Sequence, residues 1–490
     1  MKTLKTNPGA KRLMESLRNM GYDSSTAVAD LVDNSIVANA SEIHIDLLPK
    51  SDDRPAAIVI SDNGDGMDKD TLHEAMRFGA FQEYSSGDLG KYGLGLKTAS
   101  LSQGRTLTVS SKAKAGHDVR PRRHCMRWDI DHVYETDDWD LMLLSDDELE
   151  SWERDILNNS VSQDNGTTVL WTDLDEALPL LSEGDVRERE KFLARLIEEI
   201  SNHLRMVFHR FMQGSVSGHR KLNIYVCGEK LIPWDPFCRQ EKTRELDILK
   251  MNVISLDPDG SKLKESVLVT PFVLPREDEF SSVEAWKDAS GPKNWNQHQG
   301  FYFYRNNRLL QAGGWSRLRA LDEHTKLLRV AVDFPGELDR AFSINITKMK
   351  ARIPDEIRDQ IGAQVSKWVK TARTRYDGKS PDERRTPLSL SAIKSAGESP
   401  VAVNVGPVTF SKNASGRELS VVKDKKTGVI NMMIPKNHAL FEIFNMKNNS
   451  REDLKKLCLA SLSLLEAVYE KKIPASHIPM AAIKKIYRSL

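Results

Sequence analysis

The chain of 490 residues carries 71 basic and 70 acidic side chains, a net charge of +1, so no global charge draws it to nucleic acid or to an anionic membrane. Its length exceeds what one core can serve and predicts roughly two to four domains. The four cysteines, Cys125, Cys227, Cys238 and Cys458, include no C-x-x-C pair, which argues against a zinc ribbon or a redox dithiol. No apolar run of about 18 residues occurs, and the first residues lead into Lys11-Arg12 rather than an apolar signal core. A soluble, cytoplasmic protein without a membrane partner is the expectation.

In chain order, Leu13, Leu17 and Met20 among basic residues predict a short amphipathic helix over 8–22. The spacing of Val28, Leu31, Val32 and Ser35 predicts a second over 24–39, with Ser24 or Ser25 as N-cap. Residues 43–47 and 57–60 read as strands. A glycine-punctuated turn, a helix near 70–78, a glycine-rich loop at 86–95 and a helix over 95–102 follow. Further strands at 107–110 and 167–171 complete what reads as a two-layer α/β sandwich over 1–183. A long helix at 184–213 opens a second α/β domain, 184–375, with strands in 221–233 and 299–312 and two more in 325–350. The Ser-, Pro-, Gly- and charge-rich stretch 376–425 reads as a linker. Residues 426–490 read as a small, mostly helical region: a strand at 428–433, then helices near 451–471 and 480–488. The expected fold class is α+β.

Four short motifs carry the chemistry. In Ala29-Asp30-Leu31-Val32-Asp33-Asn34-Ser35, Asp30 and Asn34 are i and i+4 and share a helix face. The carboxylate can take a proton from a water while the amide oxygen coordinates a hard cation such as Mg²⁺; the pattern also fits a solvated or capping pair. Ser61-Asp62-Asn63-Gly64-Asp65-Gly66-Met67 follows a strand. Its acid can accept from an exocyclic amine, and its glycines allow close backbone approach to a flat ligand, or simply a tight turn. Gly90-Lys91-Tyr92-Gly93-Leu94-Gly95-Leu96-Lys97 places glycines ahead of a helix, where amide N–H groups and the dipole suit phosphate oxygens. Lys97 would add charge there or be a solvated lysine. Asn165-Gly166-Thr167 starts a strand, from which a hydroxyl can reach a ligand edge.

Over residues 10–175 these motifs, in this order, resemble the GHKL superfamily of gyrase, heat-shock chaperones, histidine kinases and MutL, whose ATP-binding domain is a Bergerat-type sandwich. The resemblance implies ATP and Mg²⁺ as ligands, with Asp30 as general base, Asn34 as Mg²⁺ ligand and Asp62 as adenine reader. It implies Gly64, Gly66 and Met67 against the base and a lid over 79–95 that includes Gly90, Lys91, Tyr92, Gly93, Leu94 and Gly95. Lys97 would face the phosphates and Thr167 would close the adenine site. The chain departs from the family in one respect: the usual base is a glutamate, and Asp30 is one methylene shorter. Hydrolysis, if it occurs, is therefore expected to be slow, with Asp33 as the alternative base.

Alternating aromatics in Lys221–Phe237 and Gly300–Leu310 are expected to be core. Their arrangement looks like the transducer domain of MutL and of MORC ATPases, especially the bacterial MORC-like group linked to restriction–modification and phage defence. That resemblance implies a lysine reaching the γ-phosphate, Lys348 with Lys350 in reserve. It also implies a homodimer closing as a clamp on ATP, non-specific double-stranded DNA as client, and other proteins of a defence module as partners. Two basic clusters, Lys112, Lys114, Arg120, Arg122, Arg123 and His124, and Lys367, Lys370, Arg373, Arg375, Lys379, Arg384 and Arg385, are either phosphate contacts or solvated faces. A chaperone-like protein-remodelling ATPase, and a module binding ATP with little hydrolysis, stay open. His438 has no metal partner at ligand spacing.

Overall fold

The computed structural model describes residues 3–4, 8–19, 21–79, 95–115, 122–158, 164–174, 181, 185–256, 262–344 and 351–378, with three strands between 408 and 433. The chain divides into two compact units, Met1–Pro381 and Asp382–Leu490. In the first, helix α1 (Ala10–Arg18) precedes α2 (Ser24–Val37). The N-cap of α2 is Asp23 rather than Ser24 or Ser25. Its carboxylate accepts from the Thr26 amide at 2.7 Å, and its charge suits the positive end of the helix.

Strands β1 (Glu42–Leu48) and β2 (Ala57–Asp62) come next, then α3 (Lys69–Met76), α4 (Gly95–Leu101), β3 (Thr106–Lys112) and β4 (Arg123–Asp129). They are followed by α5 (Ile130–Thr136), β5 (Met142–Leu144), α6 (Ser151–Asn158), β6 (Gly166–Thr172), α7 (Val186–Val207), α8 (His209–Gln213), β7 (Asn223–Val226) and β8 (Glu229–Lys230). The eight strands form one sheet in the order β5-β4-β3-β6-β2-β1-β7-β8. It is antiparallel throughout except where β7 lies parallel to β1.

The period of two along β2 divides its side chains between two cores. Ile58 and Ile60 pack with Val28, Leu31 and Val32 of α2 and with Leu196, Ile200 and Leu204 of α7. Ala57 and Val59 face the other way, into a smaller cluster with Leu157 of α6. This first core continues through Phe208, Phe211, Leu222 and Ile224. The first sheet therefore runs past the expected boundary at 183–184, because α7 lays its apolar stripe against α2 and the chain then adds β7 to the sheet edge.

A second sheet is built from β9 (Arg244–Glu245), β10 (Leu249–Leu256), β11 (Lys262–Val273), β12 (Gly300–Arg305), β13 (Arg308–Ala312) and β14 (Leu328–Phe334), with helices α9 (Val283–Ala289) and α10 (Asp355–Tyr376). Its path is β10-β11-β14-β12-β13, with β9 on β11. The aromatic run of β12 is core, as its alternation predicts. Phe301 and Phe303 pack under Ile357, Ile361, Val365 and Trp368 of α10, whereas Tyr302 and Tyr304 pack on the opposite face with Trp234 and Phe237. Of the two strands expected in 325–350, β14 is present among the described residues and a 3₁₀ turn, Gly336–Leu338, follows it. Residues 345–350, including Lys348 and Lys350, lie outside the described residues.

The second unit contains β15 (Val408–Ser411), β16 (Ser420–Lys423) and β17 (Ile430–Met433), in the order β15-β17-β16. The first two fall inside the stretch expected as a linker. The helices expected after 450 lie outside the described residues. Among the described residues no helix is long and apolar enough to cross a membrane. The mixed α/β architecture expected from the sequence is the one observed.

Candidate active site

Helix α2 is buried over most of its length, including Asp30 at 3 % exposure and Asp33 at 1 %. Asn34 is exposed one residue later. The chain thus brings two carboxylates into the interior and leaves one neutral amide open on the same helix. Tyr22 donates its hydroxyl to Asp30 Oδ2 at 3.0 Å, and burial together with that carboxylate raises the phenol's pKa. The first residue of α4, Gly95, lies close to Asp30: a Cβ built there would sit 3.6 Å from Oδ2. Asp30 and the start of α4 therefore converge.

At the end of β2, Asp62 is 8 % exposed. Its Oδ1 accepts from the Gly64 amide at 2.8 Å and its Oδ2 from the Ser35 hydroxyl of α2 at 2.9 Å. Burial pushes this carboxyl above the usual carboxylate range, and the hydrogen bonds from Gly64, Ser35 and Thr167 oppose that push. The turn that follows is tied on several sides. Asn63 Oδ1 accepts from the Ser41 and Glu42 amides, Asn165 donates to the Gly64 carbonyl at 2.5 Å, and the Lys114 amide donates to the Asp65 carbonyl at 2.7 Å.

Gly66 has φ +65, and a Cβ there would fall on the Lys112 carbonyl; one on Gly64 would lie 2.7 Å from the Ala38 carbonyl and 2.9 Å from Asp62 Oδ1. The two glycines are thus required by the backbone itself, independently of any ligand. Met67 donates its amide to Ser111 Oγ at 2.9 Å.

Across the sheet, Asp62 pairs with Thr167 and Thr167 with Ser111. The Ser111 and Thr167 hydroxyls lie 2.8 Å apart. A polar row thus crosses β2, β6 and β3 beside the Gly64–Gly66 turn. Lys97, on α4, is only 2 % exposed and donates its ammonium to the Ala75 carbonyl in the last turn of α3 at 2.8 Å. Burial pushes its pKa down from 10.5 to about 8, against the nearby Glu74 carboxylate. Gly90, Lys91, Tyr92, Gly93 and Leu94 lie outside the described residues.

Sequence reasoning missed Arg308. It stands at the start of β13, 4 % exposed at its side chain, and its Nε donates to Asp33 Oδ1 at 2.8 Å while Nη2 lies 3.6 Å from Asp30 Oδ1. An arginine 275 residues from Asp33 in sequence gives no local signal of that partnership. Tyr22, Ser35 and Ser111 were not singled out as site residues either. Of the basic clusters, Arg373 pairs with Asp322 at 2.7 Å and Arg375 with Glu279 at 3.0 Å, so both are held within the first unit. Lys367 and Lys370 are exposed on α10. Arg123 and His124 belong to β4 rather than a loop.

The site tests well against a nucleotide and a hard cation. A buried acid at a strand end and an exposed amide on the facing helix are parts such a ligand needs. Among the described residues no group of three or more His, Cys, Asp or Glu side chains could hold a metal.

Residues 22–179 match the family model of histidine kinase-, DNA gyrase B- and HSP90-like ATPases. Residues 22–179 are accordingly similar to a GHKL-type ATPase domain, and such a domain implies ATP binding. Among characterised proteins the chain is similar to MICRORCHIDIA 5 of Arabidopsis thaliana, 29 % identical over 33 % of this chain and 24 % of that protein. It is 33 % identical to MICRORCHIDIA 1 of the same plant over 18 % of this chain and 15 % of the relative. With ATPase morc-1 of Caenorhabditis elegans it shares 34 % identity over 18 % of this chain and 10 % of that protein. The similarity therefore spans about a quarter or less of these relatives' lengths.

Proposed function

We propose that the chain is a Mg²⁺-dependent ATPase that dimerises on ATP and closes as a clamp on double-stranded DNA. The observation that carries this reading is the convergence of Asp30 and Asn34 on α2 with the Asp62–Gly66 turn and the start of α4. In it, Asp62 accepts from the adenine amine, with Thr167 beside it, and Gly64, Gly66 and Met67 line the base. By the resemblance, Gly90, Lys91, Tyr92, Gly93, Leu94 and Gly95 would surround the phosphates, and Lys97 would add its charge only on leaving the Ala75 carbonyl that now holds its ammonium.

Asn34 would hold Mg²⁺, which when bound offsets phosphate charge. Asp30 orients the attacking water and takes its proton. Asp33 is less suited to that role, because Arg308 already engages it at 2.8 Å, whereas Asp30 is 3.6 Å from the guanidinium.

Lys348, with Lys350 as alternate, would read the γ-phosphate from the 184–375 segment and tie nucleotide state to domain closure. The exposed Lys367 and Lys370 support DNA as the client; beyond them that client, like a place in a restriction or phage-defence module, rests on the family resemblance. Light scattering with Mg²⁺ and a non-hydrolysable ATP analogue, with and without closed circular DNA, tests the clamp. Doubling of the mass with analogue, and salt-sensitive retention on circular but not linear DNA, are expected. A monomer under every condition removes the clamp.

A further inference from the structure

The turn from β12 to β13, Arg305-Asn306-Asn307-Arg308, is fastened at every residue, to three parts of the first unit. Arg305 Nε donates to Asp339 Oδ1 at 2.7 Å in an ion pair whose side chains are 6 % and 5 % exposed. Asn306 Oδ1 accepts from the Gly336 amide at 3.2 Å. Asn307 Oδ1 accepts from Arg210 of α8 at 3.2 Å, and Arg210 is itself paired with Asp333 and stacked 3.6 Å from the Tyr304 ring centre. Arg308 reaches Asp33 and Asp30. The two asparagines have φ values of +46 and +69, the left-handed conformation a tight two-residue hairpin turn demands and asparagine tolerates. The turn is thus short, stiff and held by buried ion pairs at both ends.

Its two ends grip different elements. Arg308 grips α2, the helix of Asp30 and Asn34, with the Phe208 ring 5.8 Å from its guanidinium. His203 adds no second positive charge there, because burial first and Arg308 second hold its imidazole pKa down to about 4. Arg305 grips Asp339, just beyond β14 and in the segment that leads towards residue 345. One guanidinium spans two buried carboxylates on α2, so any shift of that helix moves the guanidinium too. Over two intervening residues the turn has little slack to absorb such a shift.

We infer that this turn is the link by which occupancy of the nucleotide site reaches the second sheet, with Arg308 as the positioning residue for Asp30 and Asp33. The inference rests on the proposed ATP site. Arg308 does not touch the reacting atoms in it; it fixes where Asp30 stands and reports where α2 moves. Truncation should therefore spare nucleotide affinity and impair turnover, since a displacement of about 1 Å at a catalytic group costs about 10²-fold.

The test uses the full chain, as wild type, Arg308→Gln and Arg308→Lys, in three measurements: calorimetric affinity for Mg²⁺ with a non-hydrolysable ATP analogue, turnover, and hydrogen exchange. In wild type the analogue is expected to slow exchange both in 24–37 and in 328–344. In Arg308→Gln, affinity should stay within about threefold, turnover should fall by about 10²-fold, and slowing should be confined to 24–37. Arg308→Lys keeps the charge but not the fork, so it should restore part of the turnover and part of the slowing in 328–344. If Arg308→Gln does not fold, Arg308→Lys is judged by the same measurements, any loss of slowing in 328–344 at unchanged affinity being the supporting result. Slowing in 328–344 that persists undiminished, or affinity and turnover lost in equal measure, overturns the inference while leaving ATP binding intact. No calorimetric heat in wild type instead removes the ATP site, and this inference with it.

Discussion

Lys97 offers a prediction whose sign and size follow from its burial. In the folded chain its pKa is about 8, against 10.5 for an exposed lysine. Below pH 8 both folded and unfolded chains hold the proton, and the folded one carries the full cost of a buried ammonium. Between pH 8 and 10.5 the unfolded chain binds more protons, so stability rises with pH; above 10.5 both are neutral and the curve flattens. The difference, 10.5 − 8, is 2.5 units, and at about 1.36 kcal/mol per unit it amounts to ~3 kcal/mol. Lys97→Met keeps the volume and removes the titration, at the loss of the ammonium's bond to the Ala75 carbonyl and of its attraction to Glu74. Urea denaturation followed by tryptophan fluorescence at pH 7.5, 8.5, 9.5 and 10.5 gives both curves. Subtracting the variant from wild type cancels the other titrating groups, and the difference should grow by ~3 kcal/mol across the range. Parallel curves would refute the reasoning, because they would mean that the ammonium is not buried in the folded chain.

Gly66→Ala should destabilise the fold by about 2–5 kcal/mol, combining a left-handed φ of +65 with a Cβ driven into the Lys112 carbonyl. Gly218→Ala is its control: φ is +81 with nothing among the described residues within 4 Å of the new Cβ, so a loss of only about 1–2 kcal/mol is expected. Equal midpoint shifts in denaturation would contradict the close packing at Gly66. Asp30→Asn should keep Mg·ATP affinity and lose turnover by about 10²–10⁴-fold; a steady-state phosphate-release assay showing undiminished turnover would move the base to another residue.

The first domain was largely legible because its signals are local. Asp30 and Asn34 declare a shared helix face, Asp62 closes an apolar run, and Gly64 and Gly66 mark a turn that the backbone proves to need. The stretch 123–158 was not. In β4, Arg127 is charged yet half-buried, since it pairs with Glu153 of α6 at 2.5 Å, so the strand's alternation is masked by a partner 26 residues away. The same limit hid Arg308: nothing near residue 308 reveals that Asp33 stands opposite. Strand β7 reads as part of a second domain because its pattern fits any sheet, and only its pairing with β1 decides which.

The account's central claim is that Asp62 and the turn beyond it form the floor of an ATP site, and titration calorimetry of Mg·ATP into wild type and Asp62→Asn tests it most directly. The variant is nearly isosteric. Its amide oxygen can still accept from Gly64, and Ser35 can turn its hydroxyl hydrogen to the Leu31 carbonyl, 3.2 Å away, and accept instead. The fold should survive, but the face offered to the adenine amine becomes a donor. Removing a charged acceptor costs about 1.5–3 kcal/mol, so affinity should fall about 10- to 150-fold. Saturable heat in wild type with that loss in the variant is the predicted result. No heat in wild type, or equal affinity in the two proteins, would contradict the account.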